Sequence, residues 1–167
     1  IEKRLGGFPK DVLVKKKFPA DDREFLMTVA RDTWKFFEYF TDRNNGLPLD
    51  TIKFGKDGVL TKETFIGDYT NVTNIGLYLM VLVSAQDLGF ISEEEAKKRL
   101  RLTMDTLSKM ETAKGFHYNY YDTTTLERTS YFLSYVDSGW LTIGLYVVRN
   151  AYPELADNAA FIRRIAG

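Results

Sequence analysis

Two kinds of apolar segment alternate along this chain. In the first kind, apolar positions recur at helical spacing on one side only. Residues 21 to about 41 carry Phe25, Val29, Phe36 and Phe40 in this way, with Arg23, Arg31, Lys35 and Glu38 elsewhere around the helix. Asp21 followed by Glu24 predicts its start as a capping box, and Asn44-Asn45-Gly46 predicts its stop. Residues 92 to 110 repeat the arrangement. Ser92 and Glu95 form the box, Ala96, Leu100, Thr103, Leu107 and Met110 make one stripe, and Glu93, Lys97, Lys98 and Arg101 cover the remainder. In the second kind the helix is apolar all round. Residues 73 to 89 centre on Ile-Gly-Leu-Tyr-Leu-Met-Val-Leu-Val, and residues 134 to about 152 on Gly-Trp-Leu-Thr-Ile-Gly-Leu-Tyr-Val-Val. Such helices must be buried on most sides. A short helix from Pro153 closes the series, with Leu155, Ala159, Ile162 and Ala166 facing inward; proline suits its first position.

The order is thus outer, inner, outer, inner, outer. An all-α fold of alternating inner and outer helical hairpins follows, as either a solenoid or a closed double-layered ring. No repeat of the common solenoid lengths is detectable, so the ring is expected. The two inner helices are expected to be the most buried and to pack antiparallel. Residues 1–20, with Gly6-Gly7, two prolines and Lys15-Lys16-Lys17, form an irregular lead-in. Residues 46–70 form a long Gly-rich loop carrying Pro48, Asp50, Lys53 and Asp68, and loops of that length are often functional. One short β-hairpin is expected. Phe116, Tyr118 and Tyr120 would share one face of a strand, with His117, Asn119 and Tyr121 on the other. Asp122-Thr-Thr-Thr would then turn, and residues 126–133 would return.

Composition removes several classes of function. The 167 residues suit one domain. Lysine plus arginine equals aspartate plus glutamate at 23 each, so the chain lacks the basic excess that a nucleic-acid partner demands. The lysine run is a solvated linker on this view. With no cysteine and a single histidine, His117, neither a thiolate site nor a histidine zinc centre is expected, and no cofactor is called for. No apolar stretch has the length of a membrane span; residues 75–83 come nearest and are followed by Ser84, Gln86 and Asp87. No signal peptide is visible, and the chain starts at Ile1, so an upstream segment is expected to have been removed or omitted. The sequon Asn71-Val72-Thr73 is better explained as a helix start.

The chemistry concentrates in residues 115–139, GFHYNYYDTTTLERTSYFLSYVDSG, which hold the histidine, five tyrosines and three carboxylates. Aromatic rings interleaved with Asn, His and Asp suit sugar recognition. Rings lie against the C–H face of a pyranose while amides and carboxylates fix its hydroxyls. The same residues equally describe a surface hairpin whose tyrosines plug a gap between helices.

Four motifs in register then resemble one family. Thr70-Asn71-Val72-Thr73-Asn74-Ile75-Gly76-Leu77-Tyr78-Leu79, the Ala85-Gln-Asp-Leu-Gly-Phe-Ile turn, Tyr118-Asn119-Tyr120-Tyr121-Asp122-Thr123 and Ser134-Tyr135-Val136-Asp137-Ser138-Gly139 are similar to the glucoamylase-like (α/α)6 domain of bacterial β-1,2-glucanases and cyclic β-1,2-glucan synthases. The helix carrying Trp34 and Phe37, followed by Asp42 and Gly46-Leu47, resembles the segment that opens that domain. The likeness covers residues 21–167. It departs at positions 71 and 72, where the synthases have Thr-Ser-Pro-Thr-Asn and this chain Thr-Asn-Val-Thr-Asn. Five helices are also fewer than half of a twelve-helix ring, so the rest of the domain, or a second chain, is expected to close it.

The resemblance implies a glycoside hydrolase or transglycosylase on β-linked glucan, with β-1,2-glucan favoured, and an oligo- or polysaccharide as the bound partner. It also implies a periplasmic or secreted location. A non-catalytic sugar-binding module and a protein-interaction scaffold remain the alternatives. Because inner-helix N-termini line the cleft of such a ring, the resemblance marks Thr73, Asn74 and Asp137, with Asp137 as the catalytic carboxylate. Asn71, Tyr118, Tyr120, Asp122 and Trp140 join Thr73 and Asn74 as substrate-binding candidates. Each also has a structural explanation. Asp137 is the N3 residue of Ser134-Tyr-Val-Asp, where a carboxylate stabilises a helix start. Asp122 opens a turn, Asn71 and Thr73 compete as N-caps, and Trp140 fits a helix core. Glycoside cleavage needs two carboxyl groups roughly 5 to 9 Å apart. Asp68 or Asp122 are the candidates to stand beside Asp137, and a complete pair is not expected within this chain.

Overall fold

The computed structural model describes residues 4–5, 17–55 and 64–156. Most of the expected lead-in, residues 56–63 of the long loop, and Ala159, Ile162 and Ala166 of the last helix lie outside the described residues. Five helices are found among those described: α1 (Asp22–Phe40), α2 (Val72–Asp87), α3 (Glu93–Leu107), α4 (Tyr135–Ala151) and α5 (Pro153–Ala156). Their starts follow the polar signals. Side chains of Asp21, Ser92 and Ser134 accept from the backbone N–H of Glu24 (2.9 Å), Glu95 (3.2 Å) and Asp137 (3.2 Å). Of the two possible caps on α2, Asn71 takes the role and accepts from the Thr73 N–H at 2.7 Å. Gly89, in the left-handed region at φ +72°, stops α2 and lets the chain reverse into α3.

The core forms around α2, whose Val72, Ile75, Tyr78, Leu79 and Leu82 are all buried. The five expected stripe positions, four within α3 from Ala96 to Leu107 and Met110 just past its end, are all buried. The stripe expected on α1 holds only in its C-terminal half, where Phe40 is buried and Phe36 packs beside it. Phe25 and Val29 are exposed, whereas Trp34 and Phe40 are buried and Phe37 stacks on Tyr78 at 5.6 Å. The contact face therefore follows positions 34, 37 and 40 at the C-terminal half of the helix. Arg99 of α3 fastens α1 by an ion pair with Glu38 at 3.0 Å and holds Glu95 at 2.7 Å.

The inner helices α2 and α4 run parallel, not antiparallel. Thr73 meets Asp137 near both N-termini, and the Tyr152 hydroxyl donates to Gln86 at 3.1 Å near both C-termini. The reason is topological: α3 reverses the chain after α2, so the next inner helix must point the same way as α2. Between these ends the two backbones almost touch. A Cβ on Gly76 would lie 2.4 Å from the Trp140 carbonyl oxygen, and one on Gly144 would lie 2.3 Å from the Gly76 carbonyl oxygen. Glycine at both positions is what allows this approach.

Neither inner helix is buried all round: on α2 Leu77, Met80, Val81 and Val83 are partly buried, and α4 is more open still. Leu141, Gly144, Leu145 and Val148 of α4 face the core, while Tyr135, Val136, Trp140, Ile143 and Tyr146 are between 42% and 88% exposed. The β structure is also distributed differently. Three two-stranded antiparallel ladders occur among the described residues. They join β1 (Ile52–Lys53) to β2 (Phe65–Ile66), β3 (Tyr69–Asn71) to β6 (Tyr120–Asp122), and β4 (Thr112–Ala113) to β5 (Phe116–His117). The hairpin turns at Lys114-Gly115, both at positive φ, so β5 pairs backwards with β4. Residues 126–133 return beside 119–122 without forming a regular strand: Tyr121 bridges Arg128, and the N–H groups of Asn119, Asp122 and Thr129 donate to the Phe132, Glu127 and Tyr120 carbonyls. Because the chain leaves one ladder and enters another between 117 and 120, the expected two-faced alternation breaks. His117, Tyr118, Asn119 and Tyr121 are all buried. No helix among the described residues is long and apolar enough to cross a membrane.

Candidate functional site at paired helix N-termini

Parallel packing brings the free N–H groups and dipole ends of α2 and α4 side by side, an environment that favours negative charge. Asp137, at the third position of α4, is the carboxylate placed there. Its Oδ1 accepts from the Thr73 hydroxyl at 2.6 Å, so the carboxylate bridges the two helices. The cap of α4 does not consume it. Ser134 Oγ accepts from the Asp137 N–H, leaving the Asp137 carboxylate for Thr73.

One residue further along α2, the Asn74 amide donates to Asp50 Oδ1 at 2.7 Å, and Thr51 donates to Asp50 Oδ2 at 2.9 Å. Asp50 was legible in the sequence only as a polar residue of the long loop. It directly follows Leu47 and Leu49, both fully buried, and an acid placed after such a run is fixed by its neighbours. The Asp50 N–H donating to the Tyr69 carbonyl at 2.9 Å completes the tether. Thus two carboxylates, Asp137 and Asp50, are each held by neighbouring residues at the start of α2.

Other candidates fall outside this cluster. Asp122 opens its turn, with Oδ1 accepting from the N–H groups of Thr124 (2.8 Å) and Thr125 (2.7 Å). Asp68 is bound by the hydroxyls of Thr123 and Thr124. Burial works against the ionised form of Asp68, but those hydrogen bonds and the charge of Arg4 outweigh it and hold its carboxyl below the usual range. Arg4 also pairs with Asp42 and reaches the Thr123 carbonyl, which the Asn45 amide contacts at 2.6 Å. Asp68 and Asp122 are therefore part of a clamp between loops.

The aromatic candidates separate likewise. Tyr118 is 7% exposed, so its ring is a support and not an open stacking surface. Tyr120 lies opposite Asn71 in the β3–β6 ladder, is half-buried, and packs edge-on to Tyr69 at 6.0 Å. Trp140 is 42% exposed on α4, so it is not core among the described residues. Asn71 is spent as the cap of α2. His117 is buried, and its Nε2 donates to the Leu107 carbonyl at 3.0 Å.

Residues 28–164 match the model of a protein family described as "Protein of unknown function (DUF3131)". This chain belongs to that family. The DUF3131 chain is also 35% identical over 136 residues to the cyclic β-(1,2)-glucan synthase NdvB of Rhizobium meliloti, an alignment that covers 80% of this chain and 5% of the synthase. Its fold is similar to a β-1,2-glucanase from Parabacteroides distasonis, with a TM-score of 0.66, 20% identity, and coverage of 91% of this chain and 21% of the glucanase. A Bacteroides fragilis protein provisionally assigned as a glucoamylase matches at the same TM-score with 23% identity, over 91% of this chain and 36% of that one. The fold is thus that of the glucoamylase-like (α/α) toroid, and the DUF3131 chain spans about a third or less of each of these relatives.

Proposed function

We propose that this chain forms part of the saccharide cleft of a glycoside hydrolase or transglycosylase acting on β-linked glucan, with β-1,2-glucan as the substrate class. The observation that carries the reading is the Asp137 carboxylate, held by Thr73 where two parallel inner helices present their N-termini. The similarity to a cyclic β-(1,2)-glucan synthase over most of the chain supports the choice of glucan. In this reading Asp137 is the catalytic carboxylate and Thr73 its positioning residue. Asn74 and Asp50 bind sugar hydroxyls, and Asp50 is the acidic group best placed to serve beside Asp137. The exposed apolar flank of α4 is covered by further helices of the same toroid, which continue the inner layer.

The test is Asp137→Asn in the intact protein, with turnover of β-1,2-glucan measured beside thermal melting. Loss of a positioned acid or base lowers turnover by about 100-fold or more. The fold should survive, because Ser134 caps α4 without help from the carboxylate. A sharp fall in melting temperature with unchanged activity per folded molecule would show Asp137 to be structural.

A further inference from the structure

Just before the cap of α4, Tyr131 combines two properties that rarely go together. Its ring is 75% exposed, yet it is fixed. The guanidinium of Arg128 lies over the ring with its carbon 3.9 Å from the centroid, and the Tyr118 ring meets it edge-on at 5.9 Å and 87°. Arg128 is itself held by an ion pair with Glu111 and also covers the Tyr118 ring at 5.3 Å. Tyr118 is anchored below, its N–H donating to the Tyr121 hydroxyl at 2.8 Å. Support of this kind removes the ring's rotamer freedom before any ligand arrives, so binding to its open side loses little entropy.

We propose that Tyr131, pinned by Arg128, is a pyranose-stacking subsite that extends the Asp137 end of the cleft. The proposal rests on the saccharide reading above and names a binding surface that the sequence candidates omit. Three residues of chain reach at most about 10 Å, so the ring and the Ser134 cap lie close enough to meet one oligosaccharide. The chemistry separates Tyr131 from the flank of α4. Val136 and Ile143 are aliphatic and suit dry packing against another helix, and the flank's Tyr135 and Tyr146 have no guanidinium over their rings among the described residues, whereas Tyr131 is backed by Arg128. Arg128 pins one side and leaves the other to the C–H face of a sugar.

Calorimetric titration of the intact protein with a β-1,2-linked gluco-oligosaccharide tests this. Tyr131→Phe, which keeps the ring, should bind as the wild type does. Tyr131→Ala should weaken binding about fivefold to tenfold, the scale of one lost aromatic contact. Arg128→Lys keeps the charge for Glu111 but not the flat cover, and should weaken binding by less. Tyr146→Ala, on the flank of α4, should leave affinity unchanged. Wild-type affinity in Tyr131→Ala would overturn this subsite while leaving the cleft reading in place. A change of association state in Tyr131→Ala, with sugar affinity per folded molecule unaltered, would overturn it in favour of a protein contact. An intact wild-type protein that binds no gluco-oligosaccharide would overturn both.

Discussion

The crossing of α2 and α4 gives a quantitative test that does not depend on knowing the substrate. In Gly144→Ala the new Cβ would sit 2.3 Å from the Gly76 carbonyl oxygen and 2.9 Å from Gly76 C and Cα. Comfortable contact begins at about 3.5 Å, so the helices must part by about 1 Å. The obstructing atoms are main chain, which cannot rotate aside as a side-chain tip would. Overpacking of this kind costs about 1–3 kcal/mol, and main-chain obstruction places the site at the upper end. Alanine recovers about 1 kcal/mol of helix propensity, so the net loss is about 2 kcal/mol.

Gly139→Ala supplies the matched control on the same helix. Nothing lies within 4 Å of a Cβ built at that position. The substitution should therefore gain about 1 kcal/mol from propensity alone. The two variants should differ by about 3 kcal/mol in urea unfolding, read from midpoints at unchanged slope. If Gly144→Ala proved as stable as Gly139→Ala, the close approach of the inner helices would be wrong. The parallel pairing that brings Thr73 to Asp137 would then lose its main support.

Two further outcomes follow from the same geometry. Burial lowers the pKa of His117 below its usual value, although the Leu107 carbonyl raises it, so the unfolded chain takes up the proton first as pH falls. Its contribution is complete above pH 6.5 and is lost as pH drops through that value toward the folded pKa. His117→Gln, whose amide can donate to the same carbonyl, should flatten this part of the stability profile, and an unchanged acid slope would exclude His117 as its source. The exposed apolar flank of α4 should make the 167-residue chain self-associate when expressed alone. A monomer at high concentration in sedimentation velocity would argue against the need for a covering layer.

How much was legible in the sequence depended on whether a feature was local. Caps at Asp21, Ser92 and Ser134, the stop at Gly89, and the α3 stripe all rest on a few neighbouring residues, and the structure has them where the spacing places them. What failed required knowledge of distant partners. Whether Phe25 or Trp34 faces the core depends on where α2 lies, because both sit on apolar sides of α1. The alternation from 116 to 121 assumed one continuous strand, whereas β5 and β6 pair with different partners on either side of Tyr118-Asn119. Asp50 was overlooked because its partner, Asn74, is 24 residues away and no local pattern links them.

The same distinction bears on Asp137. From the sequence, a carboxylate at the third position of a helix is indistinguishable from a cap, since both uses demand the same spacing from Ser134. Capping, however, is satisfied once Ser134 Oγ receives the Asp137 N–H. A carboxylate serving only its own helix would have no need of Thr73, 64 residues earlier in the chain. The Thr73 bond fixes Oδ1 and with it the direction in which Oδ2 points. That is the constraint a reacting carboxylate requires, and a helix cap does not. Thr73→Val separates the two roles. It removes the donor at nearly constant shape, so a purely structural Asp137 would register it only as a stability loss of about 1 kcal/mol. For a catalytic Asp137, turnover per folded molecule would fall as well, because a side chain free to rotate leaves the reacting geometry for much of the time.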